Sequence, residues 1–434
     1  MLSRRNALWL TCILACTVHL SFAHSWITSV SPPPYSVAAL PDANISVVFT
    51  QAIDPASLVD SAVVVWGHMS GLHVRSLSYD PGTMTLTIDP TTDLMAGERV
   101  DVMLTPWLRN AGGAPIPAFL WTFETTAANG SSSFDVQTFE GRTPQGAHML
   151  LHDFTQDGIA DIEIVDRHQT NRCVSFYEYP AMGSWQMPAP RVYSDHLPRW
   201  LAVGDLDRVP PAEFVFAKDD HEELTSIMTW PPYGYWTADP IRVGFDASRV
   251  QMEDLTGDGL SDIIVAYEAR DTVRVFKGIG GRKVDSAWVA MRVATPSRTI
   301  VIDVDLDGDL DLVMVSRGET VLRMFRNDGT GAFTGPSDIS VGAVTDDVAA
   351  ADMNHDGWPD LVCVSGTTNT LTVLTNQNGA SFHAGLSSRT GGTGSIGLLV
   401  HDWNIDGIPE VSVINVSSRT VSVFVNNGSG SLTR

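Results

Sequence analysis

The chain has 434 residues, with 50 acidic against 27 basic side chains, a net charge of −23, and 36 Gly and 24 Pro beside only 18% charged residues. That length suits two domains, and the turn-rich composition excludes a coiled coil or a disordered chain. So acidic a surface is a poor partner for nucleic acid or anionic membrane.

The first residues read as a targeting signal. Arg4 and Arg5 form a basic start, an apolar run follows from Ala7 to Leu20, and Ser21 and Ala23 sit at the −3 and −1 positions of a cleavage site. A secretory signal peptide spanning 1–23 is expected, the alternative being an N-terminal membrane anchor. The run is short for a span of about 20 apolar residues, and no later segment is long and apolar enough to cross a membrane. Secretion to the extracellular space or cell surface follows as the expected localisation. Cys12 and Cys16 lie in this leader, which leaves Cys173 and Cys363. They fall in different repeats and are expected as buried thiols rather than a disulfide.

From Trp26 to about Ala127 the chain reads as short alternating strands: Ile45–Phe49, Val63–Trp66, Met84–Ile88, Val100–Leu104 and Leu120–Phe123. Turn signals separate them at short spacing, which predicts a β-sandwich over residues 26–127. A small polar stretch near Thr125–Ser133 serves as the linker.

Beyond it, a nine-residue acidic phrase recurs six times at spacings of 49 to 52 residues, beginning at Asp153, Asp205, Asp254, Asp303, Asp352 and Asp402. Five copies fit D-x-(D/N/T)-x-D-G-x-x-(D/E), and the six phrases hold 20 of the 50 acidic residues. Side chains at positions 1, 3 and 5 of a tight turn converge on one point. Gly at position 6 lets the chain bend, because it has no Cβ. The carbonyl at position 7 and a carboxylate at position 9 complete an all-oxygen shell, the logic of a Ca²⁺ loop that wants about 6–8 oxygens. Zinc and copper favour nitrogen and sulfur donors, and Mg²⁺ favours smaller octahedral sites. The second phrase departs from the template. Val209 stands where an oxygen is needed and Pro210 where Gly should bend, so this loop is expected to keep the hairpin and bind no ion.

Each phrase is followed by an apolar strand, such as Ile263–Val265 or Leu312–Val315. A polar turn, a second alternating strand and a Gly-rich turn come next. That turn ends in a bulky residue: Phe134, Trp185, Trp236, Trp288, Phe333, Phe382 or Leu432. Two more strands lead back to the next phrase. Counted from the bulky residue, the acidic loop falls between the second and third strands of a four-stranded unit of about 50 residues. Such units repeated radially are propeller blades, each covering its neighbour's apolar face. Asn129–Phe134 echoes Asn427–Leu432, so the ring holds six blades, or seven if a further segment completes it. The expected fold class is all-β, a β-sandwich followed by a β-propeller over 130–434.

The acidic phrase, the D-(I/L)-x-V strand after it and the turn Asn327–Phe333 resemble FG-GAP/VCBS repeats, the repeats of integrin α-subunit propellers and many secreted bacterial proteins. The strings at Ser31–Pro34, Asn44–Asp54, Leu86–Pro90, Leu94–Val102 and Trp121–Thr126 resemble the bacterial Ig-like domain of S-layer proteins, which implies a spacer or presentation module. The repeat resemblance implies calcium in about five loops. The implied ligands are Asp153, Thr155, Asp157 and Asp161 with the Ile159 carbonyl, then Asp254, Thr256, Asp258 and Asp262 with Leu260. The fourth phrase supplies Asp303, Asp305, Asp307 and Asp311 with Asp309. The fifth supplies Asp352, Asn354, Asp356 and Asp360 with Trp358. The sixth supplies Asp402, Asn404, Asp406 and Glu410 with Ile408.

No hydrolase elbow, metalloprotease helix or phosphate-binding loop is present. His152 and His401 each precede the first Asp of a phrase but belong to different blades, and read as strand-end residues. Trp230, Tyr233 and Tyr235 offer an alternative sugar platform, although Trp236 falls on the recurring bulky position and reads as core. The leading expectation is a monomeric, non-catalytic binding or adhesion module that meets an extracellular protein or glycan. The alternative is a polysaccharide-binding lectin or polysaccharide-active propeller enzyme.

Overall fold

The computed structural model describes residues 26–37, 39–126, 146–155, 159–166, 172–177, 191–209, 212–219, 222–230, 234–237, 240–285 and 289–434. The expected leader, the Asn129–Phe134 echo, Trp185, Pro210, Tyr233 and Trp288 lie outside these residues. Among the described residues no helix is long and apolar enough to cross a membrane.

Residues 27–124 form the expected sandwich. One sheet orders Ile27–Ser31, Ile45–Phe49, Thr85–Pro90 and Arg75–Asp80. The other orders Gly71–Leu72, Val63–Gly67, Arg99–Leu104 and Phe119–Glu124. Strand alternation points Ile45, Val47, Val63, Val65, Val100 and Val102 into one core with Trp26, Phe49, Phe119 and Trp121. Trp26 stacks on Phe49 with ring centroids 5.7 Å apart.

Among the described residues six antiparallel blade-like sheets follow, each built on a path of four strands. Their first two strands are Gly146–His152 and Asp161–Asp166, Pro198–Gly204 and Glu213–Lys218, Arg249–Glu253 and Asp262–Tyr267, Pro296–Ile302 and Asp311–Ser316, Asp347–Ala351 and Asp360–Ser365, and Ser395–His401 and Glu410–Asn415. The acidic loop therefore joins first and second strands, one strand earlier than the sequence register places it. Phe333 and Phe382 open the fourth strand of their own blade, Phe333–Ser340 and Phe382–Arg389. The bulky residue thus closes a blade, because its strand pairs with the third strand before it and not with the chain after it.

Five apolar junctions hold the row together. Between blades 5 and 6, for example, Val362, Val364, Leu371 and Val373 pack against Val411, Val413 and Phe424. A fully buried aliphatic side chain contributes about 1.5–3 kcal/mol, against about 1 kcal/mol for a typical hydrogen bond. Apolar burial therefore dominates each junction. Polar staples then fix its register. The buried Asn327, Asn376 and Asn426 Nδ2 groups donate to the Leu255, Val304 and Met353 carbonyls of the preceding blade at 2.7–2.9 Å. Cys173 and Cys363 are buried free thiols.

Among the described residues no apolar cluster joins blade 6 to blade 1. Val421 and Val423 occupy the positions of Leu371 and Val373, yet they are 63% and 47% exposed against 1% and 3%. At the other end of the row, Met149 and Leu151 are exposed as well.

The Ig-like domain lies over the acidic-loop end of the blades. Asp153 N donates to Met69 O at 2.6 Å and Leu120 N to Gly308 O at 2.8 Å. Tyr35 Oη donates to Asp303 O at 2.9 Å, and His401 Nδ1 lies 3.3 Å from Glu124 Oε2. Both strand-end histidines serve this interface, since His152 stacks on Trp66 with centroids 6.2 Å apart.

The exposed face of blade 6 predicts unequal responses to a charge. Val373→Asp should cost about 3–5 kcal/mol, the scale of an uncompensated buried charge, and Val423→Asp about 0.5 kcal/mol or less. Urea midpoints measure both. Equal losses would mean that the blade 6 face is covered in solution.

Candidate metal centres

Each acidic loop is organised by its own carboxylates. The first Asp of the loop accepts from backbone amides inside the turn. Asp254 Oδ2 takes Gly259 N at 2.5 Å, Asp303 takes Gly308 N at 2.9 Å, and Asp352 and Asp402 take Gly357 N and Gly407 N at 2.8 Å. These four glycines have φ of 84° to 86°, a conformation that strains any side chain, so position 6 is Gly for the reason read from the sequence. The last carboxylate ties the loop to two strands. Asp262, Asp311 and Asp360 each accept the amide of position 2 with one oxygen. With the other they accept Gly278, Asn327 or Asn376 N at 2.7–2.8 Å. Glu410, one carbon longer, accepts from Trp403 N at 3.0 Å and Asn404 N at 3.4 Å.

This arrangement concentrates buried negative charge. In the fourth loop Asp303, Asp305 and Asp307 bring ligand oxygens within 4.8 Å of one another. Burial, then Asp307, pushes Asp309 up to about 8, while burial raises Asp311 to about 7 and burial with Asp305 raises Asp307 to about 6. Burial also raises Asp254 and Asp360 to about 7, with Asp258 adding to the first and Asp356 to the second. Asp305 Oδ1 is buried without a hydrogen-bond partner. An all-oxygen set of this kind fits a hard divalent cation. In the first loop Asp153, Thr155 and Asp161 come together, with Thr155 Oγ1 3.3 Å from Asp153 Oδ1 and 3.1 Å from Asp161 Oδ2. Asp157 lies outside the described residues. In the fifth and sixth loops Asn354 Oδ1 and Asn404 Oδ1 face inward and accept the amides of Asp356 and Asp406.

Three basic residues, which the sequence reading passed over, divide the loops into two kinds. In the second loop Asp205, Asp207 and Glu213 also cluster, but Arg282 from blade 3 reaches across. Its Nη2 lies 2.8 Å from Asp207 Oδ2 and its Nε 2.9 Å from Glu213 Oε1. A guanidinium occupies the ground an ion needs, which gives the divergent loop its own cation. In the fourth loop Arg326 Nη1 lies 2.9 Å from Asp305 and 2.8 Å from Asp311. In the third, Lys277 Nζ lies 3.1 Å from Asp258. The same strand position holds Thr375 in blade 5 and Val425 in blade 6. Nothing local in the phrase announces these partners, which sit about 20 to 75 residues downstream of it.

The FG-GAP-like repeat family matches residues 254–314, 303–363 and 352–413, each stretch running from one acidic loop through the next. The bacterial Ig-like domain family matches residues 26–125. The chain carries FG-GAP-like repeats behind a bacterial Ig-like domain. A comparison with curated proteins finds no match. Among solved structures, an Agrocybe aegerita lectin described for specific recognition of non-reducing terminal N-acetylglucosamine is similar over 88% of this chain and 92% of its own, at 15% identity and a TM-score of 0.51. A protein from Lactobacillus plantarum is similar over 86% and 94% at 13% identity, with a TM-score of 0.48. The likeness to the lectin speaks to the fold alone. The aromatic stretch Trp230–Trp236 offers no test of a sugar platform, because its side chains and Tyr233 lie outside the described residues.

The raised carboxyls of these loops would make any cation binding pH-dependent. Their folded, cation-free pKa values exceed the unfolded values near 4, so the folded state holds extra protons between about pH 4 and 7. That stabilisation is lost as pH rises through the folded pKa values, where a cation replaces the proton. The rise in melting temperature on adding calcium to chelated protein should therefore grow from about pH 5 to about pH 8. A calcium effect that is constant across this range contradicts the assignment.

Proposed function

We propose that this chain is a secreted, non-catalytic binding module whose FG-GAP loops hold calcium as a structural ion. The basic and apolar leader supports secretion. The observation that carries the calcium reading is the recurrence of buried all-oxygen turns at one blade position. Three loops meet their charge with Lys277, Arg326 or Arg282, whereas the fifth and sixth place no basic strand residue at the equivalent position. The ligands would be those named above: the fifth and sixth loops are the open ones, and in the third and fourth the ion would share the carboxylates with Lys277 and Arg326. With the Ig-like domain over the acidic-loop end, partner contacts fall to the opposite end of the blades and to the outer surface of the Ig-like domain.

A second reading, glycan recognition without cleavage, is favoured by the structural likeness to a lectin that recognises terminal N-acetylglucosamine. A glycan array probed with the mature protein in calcium separates the readings. Retention on glycans supports the lectin reading, and release of shortened product contradicts both.

Calcium removal tests the structural role. Each site held at about 100 times its dissociation constant adds about 2.7 kcal/mol to the folded state. Chelator should lower the melting temperature, and an unchanged melting curve refutes structural calcium. Asp356→Ala should destabilise the calcium-loaded protein more than Asp207→Ala, because the fifth loop has no basic strand residue at the equivalent position, whereas Arg282 keeps Glu213 as a partner when Asp207 is lost. The reverse ranking contradicts the division of the loops.

A further inference from the structure

One register position at the far end of the first strands carries unexpected chemistry. Five residues before the first Asp of each loop stand His148, Trp200, Arg249, Arg298, Asp347 and Gly397. Two residues further along, the same strands carry mostly aliphatic or small side chains: Leu150, Ala202, Gln251, Ile300, Ala349 and Leu399. The polar position converges across blades. The His148 and Trp200 rings lie 3.9 Å apart, and the Arg249 guanidinium lies 4.1 Å over Trp200. Arg298 Nε lies 3.2 Å from Asp347 Oδ1.

The charges at this mouth do not balance. Asp347 is fully engaged, accepting Val348 N at 3.0 Å and Leu398 N at 3.1 Å beside Arg298. Arg317, also close enough to act on Arg249, is paired with Glu268 at 2.9 Å. Arg249 makes no hydrogen bond or ion pair among the described residues; it stacks on Trp200, and Asp347 and Glu268 act on it only at longer range. Burial, followed by the charge of Arg298, lowers it to about 10, which leaves it charged at neutral pH. Burial, with Arg249 and Arg298, holds His148 down at about 4, and its Nδ1 is buried without a partner. A chain of net charge −23 thus keeps an unpaired, partly buried guanidinium beside a second one. Such an arrangement is unfavourable unless an anion completes it.

We propose that Arg249 and Arg298 form a binding site for an oxyanion, a carboxylate, sulfate or phosphate group, at the end of the blades away from the Ig-like domain. The planar guanidinium fork matches such groups in bidentate fashion. Both neighbours of Trp200, Arg249 and His148, stack against it, so the site selects charge rather than a sugar ring. Free anions and the acid groups of a glycan share this chemistry, so the test carries both. The site stands apart from the acidic loops and does not depend on calcium.

Isothermal titration at low ionic strength with sodium sulfate, sodium phosphate, glucuronate and tetragalacturonate tests the site, with melting curves to verify that each variant is folded. Wild type should bind at least one of these, and Arg249→Gln should weaken that binding at least tenfold. Arg270→Gln, which removes a guanidinium lying 4.0 Å over Phe245, should leave it unchanged. Arg249→Lys keeps the charge and loses the fork, so it should fall between wild type and Gln, and it carries the test if the Gln variant does not fold. Tighter binding of tetragalacturonate than of the single anions marks a glycan source, and equal binding marks a free anion. Absence of binding by all four probes at millimolar concentration overturns the proposal, as does Arg249→Gln binding like wild type.

Discussion

Buried carboxylates holding backbone amides in a tight turn are the constraint on which the blades depend. Asp303 and Asp311 show the arrangement in full. One organises the turn through Gly308 N, and the other links it to the neighbouring strand through Asn327 N. Charge-assisted hydrogen bonds of this kind are strong, but they gather several negative charges in a poorly solvated place. Something positive must stand there. The chain meets this demand with basic side chains at Asp207, Asp258 and Asp305, and places none at the equivalent strand position in blades 5 and 6.

The basic partners also tie blades to one another. Arg282 crosses from blade 3 to the Asp207 loop of blade 2, and Arg326 reaches the Gly379 carbonyl in blade 5. Together with the Asn327, Asn376 and Asn426 staples they convert loop geometry into junction register. The Ig-like domain then rests on these rigid turns, through Asp153, Asp303, Gly308 and His401. That placement leaves the opposite mouth, with Arg249 and Arg298, as the chemically distinctive surface open to a partner.

Much of this was legible in the sequence because it is local. The spacing of the acidic phrases, the Gly at position 6 and the alternation of Val362 and Val364 each depend on a few neighbouring residues and recur with the repeat. The departure of the second loop was visible in Val209 and Pro210. Its remedy was not, because Arg282 lies about 75 residues downstream in another blade. The blade boundary was misplaced by one strand for a related reason. A sequence repeat can be cut anywhere, and only strand pairing shows that Phe333 completes a blade rather than starting one. The docking of the Ig-like domain depends on Glu124 and Tyr35, polar residues with no pattern to mark them.

The central claim is that the acidic turns are cation clamps of two kinds. Native mass spectrometry of metal-stripped protein titrated with calcium counts the ions directly. The account predicts up to about five per chain, none of them at the Asp205 loop, and a count unchanged by Asp207→Ala but reduced by one in Asp356→Ala. A protein that takes up no calcium, or one that loses an ion with Asp207→Ala, contradicts it.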